Sequence, residues 1–261
     1  AEKYESYQET FEGRNSFSKT DTDATFMRMK EDHMKNGQLK AAYNLQIATE
    51  NQFVLHYDVF SNPTDTKTLL PFLETYPHDV QTVVADAGYG SEENLLRLDK
   101  KQVNHLIKYA MFDKEQKRGY KQSARNLGNW HYNDKEDSYT HPNGWCYRFH
   151  HIKYQKTQTD FQQEIKVYYA DEPESAPQKG LYVNERYQHL KTKECQTLLS
   201  PQGRQIFAQR KIDVEPVFGQ IKACLGYKRC NLRGKRQVRI DMGLVLMANN
   251  LLKYNKRTTQ N

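Results

Sequence analysis

Two acidic residues, Asp86 and Glu215, stand in contexts suited to phosphodiester chemistry. Asp86 follows the apolar run VVA at residues 83–85 and precedes two nearby glycines. It therefore ends a buried strand, where sites in open α/β sheets gather. Glu215 lies in the basic and apolar stretch QRKIDVEPVFGQIK. A carboxylate in a positive segment makes chemical sense if it holds a divalent cation, because Mg²⁺ takes a few carboxylates plus substrate phosphate. The plainer alternatives are a turn-forming aspartate and a surface Lys–Glu pair.

The spacing around Glu215 predicts a helix with two distinct stripes. One stripe is Lys211, Glu215, Gly219 and Lys222, and the other is the apolar set Val214, Val217, Phe218, Ile221 and Leu225. Pro216 speaks against a simple continuous helix, because its ring removes a donor and clashes one turn back. One solution begins the helix at Asp213, with Glu215 and Pro216 in its first turn.

The charge distribution indicates a polyanionic partner. The net charge is +7 and the isoelectric point is about 9.0. Residues 204–239 hold ten lysines and arginines against two acids, Asp213 and Glu215. Such a run is often a solvated basic face, but here it includes glycines and aromatics and is typical of a surface that follows phosphates. The candidate DNA contacts are Arg210, Lys211, Lys222, Lys228, Arg229, Arg233, Lys235 and Arg236.

Other site classes receive less support from the sequence. The four cysteines, at positions 146, 195, 224 and 230, fit neither a zinc ribbon nor a dense disulfide framework, which predicts free thiols in a reducing cytoplasm. His150 and His151 are adjacent in a strand-like stretch, so we expect them on opposite faces and unable to share a metal easily. No apolar run approaches the roughly 20 residues of a membrane span.

The elements that must position the two acids follow from periodicity. Residues 41–60 alternate as a β-hairpin. A helix capped by Thr64 or Asp65 follows, in which Pro71 implies a late start or a kink. The strand before Asp86, a helix capped by Ser91 and the strand VNHLIKY form a βαβ unit with a parallel pair. We predict an irregular lead-in at 1–35, an α/β core at 36–110 and 178–254, a β-rich insertion at 111–177 and a disordered tail at 255–261.

Two blocks of the sequence resemble a known family. VVADAGYGSEENL and QRKIDVEPVFGQIKACLGYKRCNLRGK are similar to the second and third catalytic blocks of bacterial insertion-sequence transposases with a DDE core. The resemblance runs from about Thr20 to Tyr254. In the third block the final lysine matches Lys222, whereas the arginine position holds Lys211 beside Arg210 and the tyrosine position holds Ala208.

The resemblance implies an RNase H-like mixed sheet flanked by helices, interrupted by the insertion. It implies metal-dependent DNA cleavage and strand transfer, with Asp86 and Glu215 binding Mg²⁺ or Mn²⁺ and Lys222 touching a phosphate. It further implies double-stranded DNA as partner, a homodimer on DNA, and a bacterial cytoplasmic protein associated with the nucleoid when bound to DNA.

The first aspartate of the DDE triad has no clear counterpart in the sequence. The region SKTDTDATF lacks the pattern of a buried strand, and it makes Asp21 and Asp23 less favoured candidates than a residue upstream of Ala1. The chain is thus expected to be the carboxyl-terminal portion of a longer transposase. The alternative is a catalytically incomplete remnant that binds DNA without cutting it.

Overall fold

The computed structural model describes residues 2–29 and 36–259. The first half of the chain contains α1 (Glu2–Phe11), β1 (Thr25–Arg28), β2 (Leu39–Ala42), β3 (Asn44–Glu50), β4 (Phe53–Phe60), α2 (Leu69–Glu74), β5 (Thr82–Ala85), α3 (Glu92–Lys100), β6 (Asn104–Ile107), α4 (Phe112–Glu115) and α5 (Arg118–Lys121). The second half contains β7 (His131–Asn133), β8 (Ser138–Thr140), β9 (Cys146–Lys156), β10 (Gln162–Ala170), β11 (Gly180–Val183), α6 (Glu185–Leu199), α7 (Pro201–Gly219) and α8 (Lys235–Thr258).

The chain divides into two compact units. Unit 1 comprises Ala1–Asp79 and Arg204–Asn261, and unit 2 comprises Val80–Gly203. Both mix helices with strands, so the predicted α/β class is confirmed. The strands of the described residues form several small sheets. The domain boundaries drawn from the sequence stay a prediction.

Unit 1 is built on the hairpin that the alternating pattern predicts. β3 and β4 pair antiparallel, from Asn44 opposite Phe60 to Glu50 opposite Phe53. Helix α8 packs on β4, and Val59, Val217, Val238, Met242 and Leu246 are buried together at this contact. Polar contacts fix the same packing, since the Asn250 amide donates to the Val54 carbonyl and accepts from the Val54 N–H.

Unit 2 contains the predicted βαβ unit. β5 and β6 pair parallel, with Ala85 opposite Ile107, and α3 lies between them in the chain. Leu95 and Leu98 of α3 are fully buried. A parallel pair needs a crossover that returns the chain to the same sheet edge, and α3 supplies it. The carboxyl end of β5 is therefore the point at which Asp86 emerges.

Unit 2 also contains an antiparallel sheet with strand order β11-β10-β9-β8-β7, of which all strands but β11 lie within the predicted insertion at 111–177. Its core includes Tyr147 and Tyr168, both fully buried. The register shifts between Val167 and Tyr168, which leaves His150 without a partner on β10. The two histidines are consequently not on opposite faces as predicted: Nδ1 of His150 lies 2.8 Å from Nδ1 of His151. A β-bulge puts two residues against one and redirects their side chains.

Two predictions about the chain ends are wrong where the structure describes them. The lead-in is not irregular, because residues 2–11 are helical and Tyr7 and Phe11 both pack against the Phe17 ring. The tail is not disordered at 255–258, because α8 continues to Thr258 with Lys256 and Arg257 in a last turn that favours cations. Residues 1, 30–35 and 260–261, which also belong to the lead-in and tail predictions, lie outside the described residues.

Candidate functional site

Asp86 occupies the position that the sequence predicts. It directly follows β5 in extended conformation and caps a short 3-10 turn at Ala87–Tyr89. Its Oδ1 accepts a hydrogen bond from the Gly88 N–H at 3.0 Å. The side chain is half-buried. A carboxylate held by a backbone N–H at a strand terminus has a fixed orientation, which a metal ligand needs.

Close packing fixes the loop that follows Asp86. Gly90 is buried, and a Cβ there would collide with the Lys108 carbonyl and lie 2.8 Å from the Tyr109 Cα. The Tyr187 hydroxyl donates to the Gly90 carbonyl at 2.7 Å. Ser91 then caps α3 by accepting from the Asn94 N–H, as predicted. Only glycine allows the backbone to approach this closely.

Glu92 connects several elements of unit 2, a role that the sequence did not reveal. The sequence suggests only an acid in the first turn of α3, but the side chain is buried. Its carboxylate accepts hydrogen bonds from Arg186 at 2.5 Å and from Gln163 and Asn184 at 2.7 Å. These partners are 71 to 94 positions away, and no local pattern reveals them. Glu92 joins α3 to β10 and to the start of α6.

Glu215 lies on α7 and its side chain is exposed. The helix does not begin at Asp213, since α7 runs from Pro201 to Gly219 with Pro216 inside it. Proline cannot donate to the carbonyl one turn back, but burial of Val217 on the adjacent core holds this part of the helix in place. Lys211, Glu215 and Gly219 therefore keep the four-residue spacing of one helical stripe.

The predicted stripe changes where α7 ends. Residues Gln220–Cys224 form a π-helical turn, and Lys222 lies within it. This wider turn removes Lys222 from the angle that α-helical spacing gives it. Lys222 is exposed, while the neighbouring Ile221 is buried in the unit 1 core. Pi-helical turns occur frequently at functional sites.

Most basic residues in and around the connection from α7 to α8 are exposed. This holds for Lys228, Arg229, Arg233, Lys235 and Arg236, and also for Lys211 and Lys222, whereas Arg210 is partly buried. We call residues 225–236, the last two of which begin α8, the basic loop. A solvent-facing set of cations on one short segment suits contact with a phosphate backbone.

Carboxylates of unit 1 fix both ends of the basic loop. Asp241 accepts from the Tyr227 hydroxyl at 2.6 Å and from the Asn231 N–H at 3.3 Å. Asp21 accepts from the Gly234 N–H at 3.1 Å and Asp23 from the Lys235 N–H at 2.8 Å. The loop is therefore presented in a defined shape.

The two less favoured candidates for the first catalytic acid thus have structural partners in unit 1. Besides the Gly234 N–H, Asp21 accepts from the Tyr43 hydroxyl at 2.8 Å through both oxygens. Burial, followed by the contact with Asp21, raises the pKa of Tyr43 well above its ordinary value. Tyr43 therefore stays protonated and keeps donating to Asp21.

The described residues do not contain a preformed cluster of metal ligands. Within 2–29 and 36–259, no three His, Cys, Asp or Glu side chains are grouped so that they could hold a metal ion. Asp86 belongs to unit 2 and Glu215 to unit 1, and each is described within its own unit. The predicted pair of carboxylates is therefore short of the ligands that a protein-only metal site requires.

Comparison with known proteins identifies the family. The model of the family described as "Transposase DDE domain" matches residues 15–251. The chain belongs to this family. No curated protein and no solved structure gives a match.

Membership of the DDE transposase family implies a DNA substrate. The matched range contains Asp86, Glu215 and the whole basic loop, and it spans parts of both units. All four cysteines are free thiols, as predicted. In the part of the chain that the structure describes, no helix has the length and apolar character needed to cross a membrane.

Proposed function

We propose that the chain cleaves DNA strands at the ends of an insertion sequence and transfers them to target DNA. The observation that carries the proposal is the family match over residues 15–251, within which both predicted acids occur in the expected order. The exposed basic loop beside the helix that carries Glu215 supports DNA as the substrate. An RNase H-like arrangement is part of the proposal, and the order of hairpin, helix, βαβ unit and terminal helices supports it.

We assign Asp86 and Glu215 as ligands of Mg²⁺ or Mn²⁺. Two carboxylates alone do not complete a site, but such ions commonly take only a few carboxylates and use substrate phosphate for the remainder. When bound, the metal would stabilise charge on the attacking and leaving oxygens of the phosphodiester.

The chain's own residues would then orient the DNA. Arg210, Lys211 and Lys222 would contact phosphates near Glu215, and the basic loop would contact the adjoining DNA backbone. Of the basic loop's cations, Arg229, Arg233 and Arg236 can bind phosphate in a bidentate manner, which adds orientation to charge. The protein would act at the bacterial nucleoid, as a homodimer on DNA.

Strand cleavage by acid-neutralised variants tests the proposal. We expect Asp86→Asn and Glu215→Gln each to reduce Mg²⁺- or Mn²⁺-dependent cleavage of a duplex carrying the element's ends by at least about 100-fold. DNA affinity without metal should stay unchanged or rise, because a negative charge is removed. Asp134→Asn and Glu174→Gln, at exposed positions, serve as matched controls.

Two results would contradict the assignment. Undiminished cleavage by Asp86→Asn would remove this residue from the site. Complete absence of cleavage by the unaltered chain at every metal concentration, with salt-dependent DNA binding retained, would favour the DNA-binding remnant.

A further inference from the structure

Two adjacent histidines of strand β9 bring the same ring atom together at the surface of unit 2. Nδ1 of His150 lies 2.8 Å from Nδ1 of His151, and both side chains are exposed. Successive residues of a regular strand point to opposite faces. The convergence therefore depends on the β-bulge, where His151 lies opposite Val167 and His150 has no partner on β10. The bulge creates a pair of nitrogen donors that a regular strand would separate.

The distance between the two nitrogens matches that of neighbouring ligands on one metal ion. Nitrogen atoms at about 2.0 Å from an ion lie about 2.8 Å apart if they meet it at a right angle, and about 3.3 Å apart in a tetrahedral site. The same distance suits a hydrogen bond in which one neutral ring donates and the other accepts. The ring planes are already nearly perpendicular, at 81°. Because both rings are exposed, a small rotation converts the hydrogen-bonded pair into a chelating pair.

The surroundings of the histidine pair are compatible with a bound cation. The paired part of β8 ends opposite Arg148, so the histidines lie just beyond the end of that strand. The positive charge of Arg148 is compensated locally, because this side chain pairs with Asp171 at 3.1 Å and with Glu136 at 3.4 Å. The Tyr169 ring packs edge-on against His150, with ring centroids 4.9 Å apart. This contact limits the motion of one donor and leaves the pair open to water.

We propose that His150 and His151 form a binding site for a divalent transition-metal ion of the Cu²⁺ or Ni²⁺ class. Imidazole nitrogen is a suitable donor for these ions, and a right-angled pair fits their square-planar or tetragonal geometry. Both Nδ1 atoms coordinate the ion, and the ring that donated the hydrogen bond carries its proton on Nε2 instead. Two protein donors leave the remaining coordination positions to water, so the site is open to exchange.

This site differs from the proposed catalytic centre in its residues and in its chemistry. It contains neither Asp86 nor Glu215, and its donors are nitrogens, whereas Mg²⁺ and Mn²⁺ prefer oxygen ligands. The affinity of a nitrogen site rises from Mn²⁺ through Ni²⁺ to Cu²⁺ and is lower again for Zn²⁺. We therefore expect Cu²⁺ and Ni²⁺ to bind at the histidine pair, and Mn²⁺ and Mg²⁺ to bind there far more weakly.

Calorimetric titration of the full chain with Ni²⁺, without DNA or an affinity tag, tests the site. We expect His150→Asn and His151→Asn each to raise the dissociation constant at least about 100-fold, because either variant loses one donor of a two-point chelate. His131→Asn and His189→Asn, at other exposed positions, are matched controls and should bind Ni²⁺ as the parent chain does. All four histidines are exposed, so circular dichroism should show the parent fold in every variant.

Electron paramagnetic resonance of bound Cu²⁺ identifies the donors independently. In a chain with its four cysteines replaced by serine, Cu²⁺ should show coupling to two imidazole nitrogens, and His151→Asn should remove that signal. Nickel affinity that is equal in the parent chain and in His150→Asn, or a copper spectrum that is unchanged in His151→Asn, would overturn the site. Neither result bears on strand cleavage, which is measured with Mg²⁺ or Mn²⁺ and depends on other residues.

Discussion

At the scale of single residues, unit 2 contains a buried histidine between two acids. Nε2 of His105 lies 3.1 Å from Asp99, and Nδ1 lies 2.6 Å from Glu194. Glu194 also accepts from the Ile107 N–H at 2.9 Å. Burial alone would lower the pKa of His105, but the contacts with Glu194 and Asp99 outweigh it and raise the pKa. The protonated histidine thus neutralises Glu194, which is itself almost completely buried.

This arrangement predicts a stability that falls with rising pH. Because the folded pKa of His105 is raised, its stabilisation is fully present below the unfolded value of about 6.5 and is lost as pH rises through the folded value. We expect His105→Gln to lower the free energy of unfolding by about 2 kcal/mol at pH 6, with the difference shrinking toward pH 9. Urea unfolding across this range measures it, and His131→Gln, at an exposed position, is the control. A difference that is constant or grows with pH would contradict the account.

The sequence predicted some of these residues and not others for a physical reason. Asp86 and Ser91 were identifiable because strand termini and helix caps are specified by immediate neighbours. Glu92 and Glu194 were not, because their partners are distant in the sequence and only the fold brings them together. The role of Asp23 in holding the Lys235 N–H is of the same kind, since the two residues are 212 positions apart.

At the scale of elements, Glu92 determines how α3 is held to the elements around it in unit 2. We expect Glu92→Ala to lower the free energy of unfolding by about 3 kcal/mol, because it leaves Arg186, Gln163 and Asn184 without their common acceptor. Glu92→Gln keeps one side-chain oxygen that can accept a hydrogen bond, so it should lower the free energy of unfolding by less than Glu92→Ala does. Urea unfolding measures both, with Glu174→Ala at an exposed site as control. If all three substitutions lower the free energy of unfolding by the same small amount, the hydrogen bonds to Glu92 contribute little to stability.

Carboxylates of unit 1 hold the basic loop in place. Two substitutions of Asp23 distinguish the effect of the loop's shape on DNA binding from the effect of the charge that is removed. Asp23→Asn retains a side-chain acceptor for the Lys235 N–H, whereas Asp23→Ala removes it; both remove one negative charge. Charge alone would make both variants bind DNA more tightly. We expect Asp23→Asn to do so and Asp23→Ala to bind more weakly than Asp23→Asn, measured by fluorescence anisotropy without metal. Identical affinities would show that the anchor does not shape the loop.

Elements with a clear period were predictable from sequence, and those governed by an irregularity were not. The β3–β4 hairpin follows directly from its apolar spacing. Helix α7 was misjudged because Pro216 argues for a break, while burial of Val217 keeps the helix continuous. The bulge at His150 and the packing of α1 on Phe17 depend on tertiary contacts that no local pattern encodes.

At the scale of the whole molecule, the positive charge is concentrated rather than spread. Ten of the 39 lysines and arginines lie within residues 204–239. If these cations follow phosphates, removing one of them should lower the slope of log affinity against log salt by about 0.9. Lys228→Ala, Arg229→Ala and Arg233→Ala together should therefore lower the slope by about 2.7.

The matched control removes three positive charges elsewhere in the chain. It carries alanine in place of Lys101, Lys156 and Lys179, which are exposed and lie outside residues 204–239. Fluorescence anisotropy at several salt concentrations should show a smaller change of slope for this set. Equal slopes for the two triple variants would mean that overall charge, and not the basic loop, determines binding.

The central proposal concerns catalysis by the whole molecule: we propose that Asp86 and Glu215 bind the same metal centre when DNA is present. Its most direct test is anomalous diffraction from crystals of the full chain with Mn²⁺ and a duplex carrying the element's ends. The account predicts Mn²⁺ with oxygens of both carboxylates and of a DNA phosphate at about 2.1 Å. Manganese bound away from either residue, or DNA bound with no manganese between the two carboxylates, would contradict it.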